Sequence, residues 1–553
     1  MKKMLIVFLL LITHLYMLMV GKYQIFPYHQ LLNSKQYVTS LLQNDIFYKF
    51  ETATPAYISS EKVKSTRELE MRERNELISP VIKQLMEIVE SEKRISKPYN
   101  IKFDPLVAYI RKRSVSAGEK LDILVRATEP YSVQILRLGR EKVTYRTVGD
   151  FKRNLQSNLY SPSTGLDWTP SFVIDTTSYE SGIYLIEMKS HLSDAFWQIP
   201  FIVKPANVPK IAFIASTYTW YAFNPYFFCA RPNIGLPGLT SWESFQCPKN
   251  SAEGDTDSTP PTIQNPIIGK NFYIDHEISD ADLSYNNALD SLLDSLDLPP
   301  SSIHLPLNRP LKPEHFITDQ VPEAPHHSHL LRASWILPAF AEAHSIELGF
   351  YANEDFNENS DLMNSEIIVF DAHTEYWSDA MLDAYNKFIK KGGKVIFAGG
   401  NAMFKLVAMD ENRISLMGDV PSALRRRMTG AINTGVSVPL YAPFQVLIPE
   451  HWVFQGANLK KGATFGAASS NHNSDSSYEG ASGWEADQGT SDASDFIILA
   501  AGKNTRFPSH MLFKQTREGG WIFNAGTILF GGALFTDPVI SKIMLNLLDT
   551  KKQ

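Results

Sequence analysis

The sequence predicts a mixed chain, all-β in one region and α/β in the next, behind an N-terminal anchor and a helical lead-in. Three observations predict it. Residues 101–205 hold short β-prone runs separated by turn residues. After Pro205, strand-like and helix-like patterns alternate. Residues 1–100 begin with a basic and apolar stretch, then turn charge-rich with apolar residues at helical spacing.

In chain order, Lys2 and Lys3 precede an apolar run from Met4 to Val20, broken only by Thr13 and His14. A basic start before such a run reads as an export signal over 1–21. Met19-Val20-Gly21 is a poor cleavage pattern. A retained anchor is therefore favoured over a cleaved signal, with the rest of the chain outside the cytoplasm, in a periplasmic or other extracytoplasmic space. Residues 22–100 form a helical lead-in or stalk, since Leu69, Leu77, Val81, Leu85 and Ile88 recur at helical spacing.

Residues 101–205 read as a β-sandwich domain of the Ig-like kind. Its expected strands include 121–125, 132–136, 171–175, 182–186 and 197–203. Residues 206–553 read as one doubly wound, mostly parallel α/β domain. Its strands are 210–216, 346–352, 366–371 and 394–398, with helices over 331–344, 378–391 and from about Asn401. Strands over 496–501 and 511–515 and a helix over 538–548 close the chain. An irregular insertion dense in Pro, Ser, Asn and Asp spans about 229–330. Loops of that length are functional or disordered.

Composition narrows the partners. Among 553 residues, 44% are hydrophobic and 20% charged, enough for sizeable cores. A net charge of −6 leaves no basic surplus for a phosphate backbone, which argues against nucleic acid. The two cysteines, Cys229 and Cys247, suit either a disulfide in an exported chain or two free thiols.

In open α/β sheets, ligands gather beyond the carboxyl ends of the strands. Tyr351 to Asp355, Asp371 to Trp377 and Gly399 to Asn401 follow three such strands. The densest stretch is His373-Thr374-Glu375-Tyr376-Trp377, whose side chains suit metal ligation or acid–base work. Equally, Glu375 and Ser378 suit capping of the next helix, with Tyr376 and Trp377 packed inward. His326-His327-Ser328-His329 offers three imidazoles, as metal ligands or as ordinary loop residues. Walker, dinucleotide-glycine, HExxH and G-x-S-x-G signatures are absent, so nucleophilic serine or cysteine catalysis has no support.

The motifs, taken in order, carry a resemblance. They are 135–139, 181–184, Thr219-Trp220-Tyr221-Ala222-Phe223-Asn224, Asn308-Arg309-Pro310, His373 to Ser378, Gly392 to Lys394, Gly399-Gly400-Asn401, Gly483 to Asp487 and Phe523 to Thr527. Over roughly 105–550 the chain resembles the large (beta) subunit family of N,N-dimethylformamidase. The resemblance implies a glutamine-amidotransferase-like C-terminal fold without the cysteine nucleophile. It implies hydrolysis of an amide C–N bond and a mononuclear iron held by two tyrosinates and a glutamate. Carried over, Tyr376 is one phenolate ligand and Glu485 the carboxylate. Tyr351 is the expected second phenolate, with Tyr221 in reserve. His373 and Glu375 are expected to move protons, and Asn401 to orient a small amide substrate. The anchor and the insertion set the chain apart from the family's amidase. A non-catalytic envelope binding protein keeping the fold is the alternative.

Overall fold

The computed structural model describes residues 99–100, 103–161, 164–224, 304–311, 316–357, 360–410, 413–433, 441–471, 479–489, 495–503 and 508–551. The expected anchor, the lead-in up to residue 98, Cys229, Cys247 and most of the insertion lie outside them. No helix among the described residues is long and apolar enough to cross a membrane.

The chain first builds two facing sheets. One has strands β1 (Leu106–Ile110), β3 (Lys120–Ala127) and β6 (Phe172–Asp175), paired in the order β1-β3-β6. The other has β2 (Ser114–Ser116), β4 (Tyr131–Leu138), β5 (Lys142–Phe151), β7 (Gly182–Ser190) and β8 (Phe196–Lys204), in the order β2-β8-β7-β4-β5. Alternating residues such as Tyr131, Val133 and Ile135 point into a shared core with Trp168, Trp197 and Phe201. This two-sheet packing follows from the period-2 pattern, because each strand has one apolar face to bury.

The second sheet system is larger. Its strands are β9 (Ile211–Ala215), β11 (Gly349–Ala352), β12 (Ile367–Phe370), β14 (Lys394–Phe397), β17 (Phe444–Val446), β18 (Thr464–Phe465), β19 (Ile497–Gly502), β20 (His510–Gln515) and β21 (Trp521–Asn524). They form a nine-stranded sheet in the order β11-β9-β12-β14-β21-β20-β19-β17-β18. The first five pair in parallel. The remaining pairings are antiparallel. The expectation of a mostly parallel sheet therefore holds for one half only. Lys514 to Gln515 and Trp521 to Ile522 pair across a short turn, and so tight a connection permits only antiparallel strands.

Helices cover both faces. Helix α2 (Leu331–Ala343) and helix α5 (Pro538–Leu548) pack one face through Trp335, Phe340, Ile543 and Leu547. Helix α3 (Asp379–Lys390) packs the other through Tyr385 and Phe388. The Ser378 hydroxyl caps α3 by accepting from the Met381 N–H, and Lys387 and Lys390 complement its C-terminal dipole.

A helix from about Asn401 does not form. Asn401 and Met403 have φ of 55° and 59°, a left-handed conformation that ends any helix start. The chain instead enters strand β15 (Lys405–Met409) of a four-stranded side sheet. Its other members are β10 (His304–Pro306), β13 (Tyr376–Ser378) and β16 (Arg413–Asp419). Helix α4 (Ser422–Thr429) follows β16.

Candidate functional site

Parallel pairing puts the carboxyl ends of β9, β12, β14 and β21 along one edge. The residues just beyond these ends include Ser216, Asp371, Asn401 and Thr527, all polar and all buried. Asp371, just past β12, accepts hydrogen bonds from the Ser216 backbone N–H at 3.0 Å, from the Ser216 and Ser334 hydroxyls, and from the His373 N–H at 3.4 Å. The Thr219 hydroxyl, on helix α1 (Thr217–Ala222), donates to the His373 carbonyl at 2.7 Å. The backbone of His373 is thereby gripped on both sides. The Glu375 carbonyl accepts from the Phe404 and Lys405 N–H groups, both at 2.9 Å.

On this fixed backbone, His373 and Glu375 share a side. His373 Nε2 lies 3.3 Å from Glu375 Oε2. His373 lies in the turn after β12, and that turn brings its ring back beside Glu375, two residues on. Both residues are buried, at 1% and 3% exposure. Neither His373 ring nitrogen, nor Glu375 Oε2, makes a well-aligned hydrogen bond.

Glu485 arrives from the far side. Its φ is 46°, a left-handed conformation in a residue that is not glycine. The Thr527 hydroxyl holds the neighbouring Trp484 twice, donating to its carbonyl at 2.8 Å and accepting from its N–H at 3.4 Å. Two glycines let these segments close together. A Cβ on Gly399 would stand 1.7 Å from the Ala372 carbonyl oxygen, and one on Gly400 2.0 Å from that of Glu485. Asp487 accepts from the Asn401 N–H and the Asn524 side-chain amide, both at 3.1 Å.

Electrostatics follow from burial. Burial, and then the nearby Glu485 charge, push the Glu375 carboxyl well above its ordinary range. Burial and Asp487 raise Glu485 to about 8. Asp487 rises to about 6, burial outweighing its hydrogen bonds. Burial drives His373 down to about 3, opposed by the His329 backbone nearby. Glu485 Oε2 is buried without a hydrogen bond, as is Glu375 Oε2.

Aromatic rings enclose the cluster. Phe223 lies 5.6 Å from His373, 4.7 Å from His329 and 6.1 Å from Tyr376 between ring centroids. His327 stacks on Trp484 at 3.9 Å and 17°. The histidine run of the insertion thus divides. His327 and His329 fold over the site, while His326 pairs with Asp319 at 3.4 Å.

The expected residues sort accordingly. His373, Glu375 and Glu485 share one site, Asn401 adjoins it through Asp487, and Tyr376 adjoins it through Phe223. Tyr351 sits on the edge strand β11, its phenol raised to about 12 by burial, with Asp355 and Asp361 as its charged neighbours. Tyr221 is likewise raised to about 12 by burial and faces Arg113, Glu354 and Arg309. Among the described residues, no three His, Cys, Asp or Glu side chains stand together as a formed metal site. Glu375 caps no helix; Ser378 does so alone.

Comparison of the whole chain with known families bears on the same residues. The profile described as N,N-dimethylformamidase beta subunit-like, C-terminal, matches residues 133–540. The chain belongs to the N,N-dimethylformamidase beta subunit-like family. No curated protein sequence matches it. The dimethylformamidase-like region takes in every residue of the polar cluster, from Ser216 to Thr527. Asp371, Thr219 and Thr527 support the site without having stood out in the sequence. Their partners are backbone groups and, for Asp371, the Ser216 and Ser334 hydroxyls, and such roles leave no residue-type signature beyond the short motifs in which they sit.

Proposed function

We propose that this chain hydrolyses the C–N bond of an amide at the His373–Glu375–Glu485 cluster, as an exported protein tethered by its N-terminal segment. One observation carries the reading. In a dimethylformamidase-like chain, two carboxylate oxygens and an imidazole are buried together without well-aligned hydrogen bonds, inside a ring of aromatic side chains. Structural polar groups at such depth are normally satisfied, so the arrangement argues for a ligand.

Iron, which the family resemblance implies, fits this donor chemistry. Glu375 and Glu485 offer hard oxygen donors with unfilled lone pairs, and Tyr376, the phenolate the resemblance implies, packs its ring 6.1 Å from that of Phe223 at the edge of the cluster. These three would hold it, rather than Tyr351 at the sheet edge. Bound there, the ion would supply Lewis acidity to water and to the amide carbonyl.

The chain's own residues supply the proton steps. His373 is uncharged at neutral pH, because burial holds its pKa near 3. Its lone pair is free to take a proton from the attacking water, a transfer that an ionised Glu375 beside it would favour by raising the basicity of the ring. Glu375 Oε2, 3.3 Å from Nε2, lies beside the imidazolium this creates, and that charge would in turn favour the ionised form of a carboxyl that burial otherwise keeps protonated. The water oxygen bonds to the carbonyl carbon. The C–N bond then breaks with its electron pair on nitrogen, and the proton on His373 passes to the departing amine. Asn401 orients the amide at the rim.

Amine release from a panel of simple N-alkyl and N-acyl amides, by the iron-loaded full-length protein, tests this. Turnover should fall about 100- to 10,000-fold in His373→Ala. A folded, iron-loaded protein that releases no amine from any of them points instead to a binding protein.

A further inference from the structure

The wall behind Glu375 holds a charge that the hydrolytic cluster does not use. Arg425, on α4, is 6% exposed. Its Nε and one terminal nitrogen, Nη1, are buried without a hydrogen bond. The guanidinium lies 4.9 Å over the Phe404 ring, and Lys405 Nζ lies 4.3 Å over the same ring. Phe404 and Lys405 are the residues whose N–H groups hold the Glu375 carbonyl. Arg425 thus packs on a segment bonded to the Glu375 backbone, and its charge is felt by Asp487, which holds the Asn401 N–H.

Two acids come near it, and each is engaged elsewhere. Asp487 accepts from Asn401 and Asn524. Asp419 accepts from Lys405 Nζ at 2.5 Å. Arg425 senses both charges, yet its Nε and Nη1 bond to neither. A guanidinium stays protonated even when buried, so an open N–H on it calls for an anionic oxygen; Nε and Nη1 point along different edges, so a carboxylate would accept from one of them. Structural buried arginines normally have that acceptor within the protein.

We propose that Arg425 is an anion subsite, and that the substrate is an amide bearing a carboxylate. This rests on the hydrolase reading above. The carboxylate would take one of the open N–H directions of Arg425, while the amide lies against His373, Glu375 and Glu485. A neutral amide of the same size would leave the guanidinium unfilled.

Calorimetric titration of the full-length protein with N-acetylglycine and with N-acetylglycinamide tests it, the two probes differing only in the terminal charge. N-acetylglycine should bind wild type at least about tenfold more tightly, a gap of about 1.4 kcal/mol. Arg425→Gln should bring it down to the neutral probe, and Arg425→Lys should keep part of the preference. Equal affinities in wild type, or no binding of the carboxylate, overturn the subsite, and that comparison needs no variant to fold. Selective binding without amine release would uphold the subsite and count against the hydrolase. Amine release from both probes with equal affinity would do the reverse.

Discussion

Two buried glutamates in this molecule live under opposite rules. Glu187, on β7 of the sandwich, is 5% exposed and accepts from Gln134 at 2.6 Å, Gln198 at 2.8 Å and Lys189 at 2.9 Å. Burial pushes its pKa up, but those bonds outweigh it and the carboxyl ends below its usual range. Glu485 is 9% exposed, yet one oxygen has no partner and its pKa rises to about 8. The sandwich uses its carboxylate to hold strands together. The strand-end cluster keeps its carboxylates short of partners, on a backbone strained at Asn401, Met403 and Glu485. Such strain and deficit persist only where the surrounding structure enforces them. The difference supports the proposal that Glu485 is held for a ligand, whereas Glu187 ties strands together.

The comparison can be broken most forcefully at the glycine junction. Gly400→Ala drives a Cβ into the Glu485 carbonyl. It should abolish amine release and lower the melting temperature by more than any single carboxylate change, as thermal melts alongside the assay would record. Glu375→Gln should come next, cutting turnover about 100-fold or more while leaving far-UV circular dichroism unchanged. A Glu375→Gln protein with full activity would remove Glu375 from the chemistry. Thr527→Val should be milder. It removes both bonds to Trp484, costing about 1–3 kcal/mol in a denaturant titration, with a partial loss of activity through the displaced Glu485. Glu187→Gln should have the smallest effect on turnover, but should still lower stability.

The pH dependence sharpens the contrast. The folded pKa of Glu485 lies above its unfolded value of about 4.3, so the folded state holds the extra proton between them. Stability from this group is therefore complete below about pH 4 and is lost as pH rises through 8. Glu187 has the opposite sign, and its contribution is lost as pH falls below the usual carboxylate range. Metal-free melts from pH 5 to 9 should decline in wild type and decline less steeply in Glu485→Gln, where Asp487 and Glu375 still titrate.

Much of the scaffold was legible in the chain. Strands such as Ile211–Ala215 and Ile367–Phe370 are continuous apolar runs because both faces are covered. Helix Asp379–Lys390 carries its cap and its terminal charges in plain view. The antiparallel half of the sheet was less legible, since pairing direction is decided by partners distant in sequence. The false helix at Asn401 arose because apolar residues such as Ala402 and Met403 suit either structure, while the left-handed turn is imposed by contacts with Asp487 and Thr374. At the site, residue type pointed to His373 and Glu375, but could not tell capping from catalysis for Glu375. Tyr351 rests on its place at a strand end. Strand position fixes the edge a side chain occupies, not its neighbours, which for Tyr351 are Asp355 and Asp361.

The most direct test of the ligand-directed role of Glu485 needs no substrate. It is the melting temperature of the metal-free Glu485→Gln protein at pH 8, against wild type. If the carboxylate is held for a ligand against the preference of the fold, removing its charge should raise the melting temperature. A lower melting temperature would mean that Glu485, like Glu187, is part of the scaffold, and the proposed site would lose its central carboxylate.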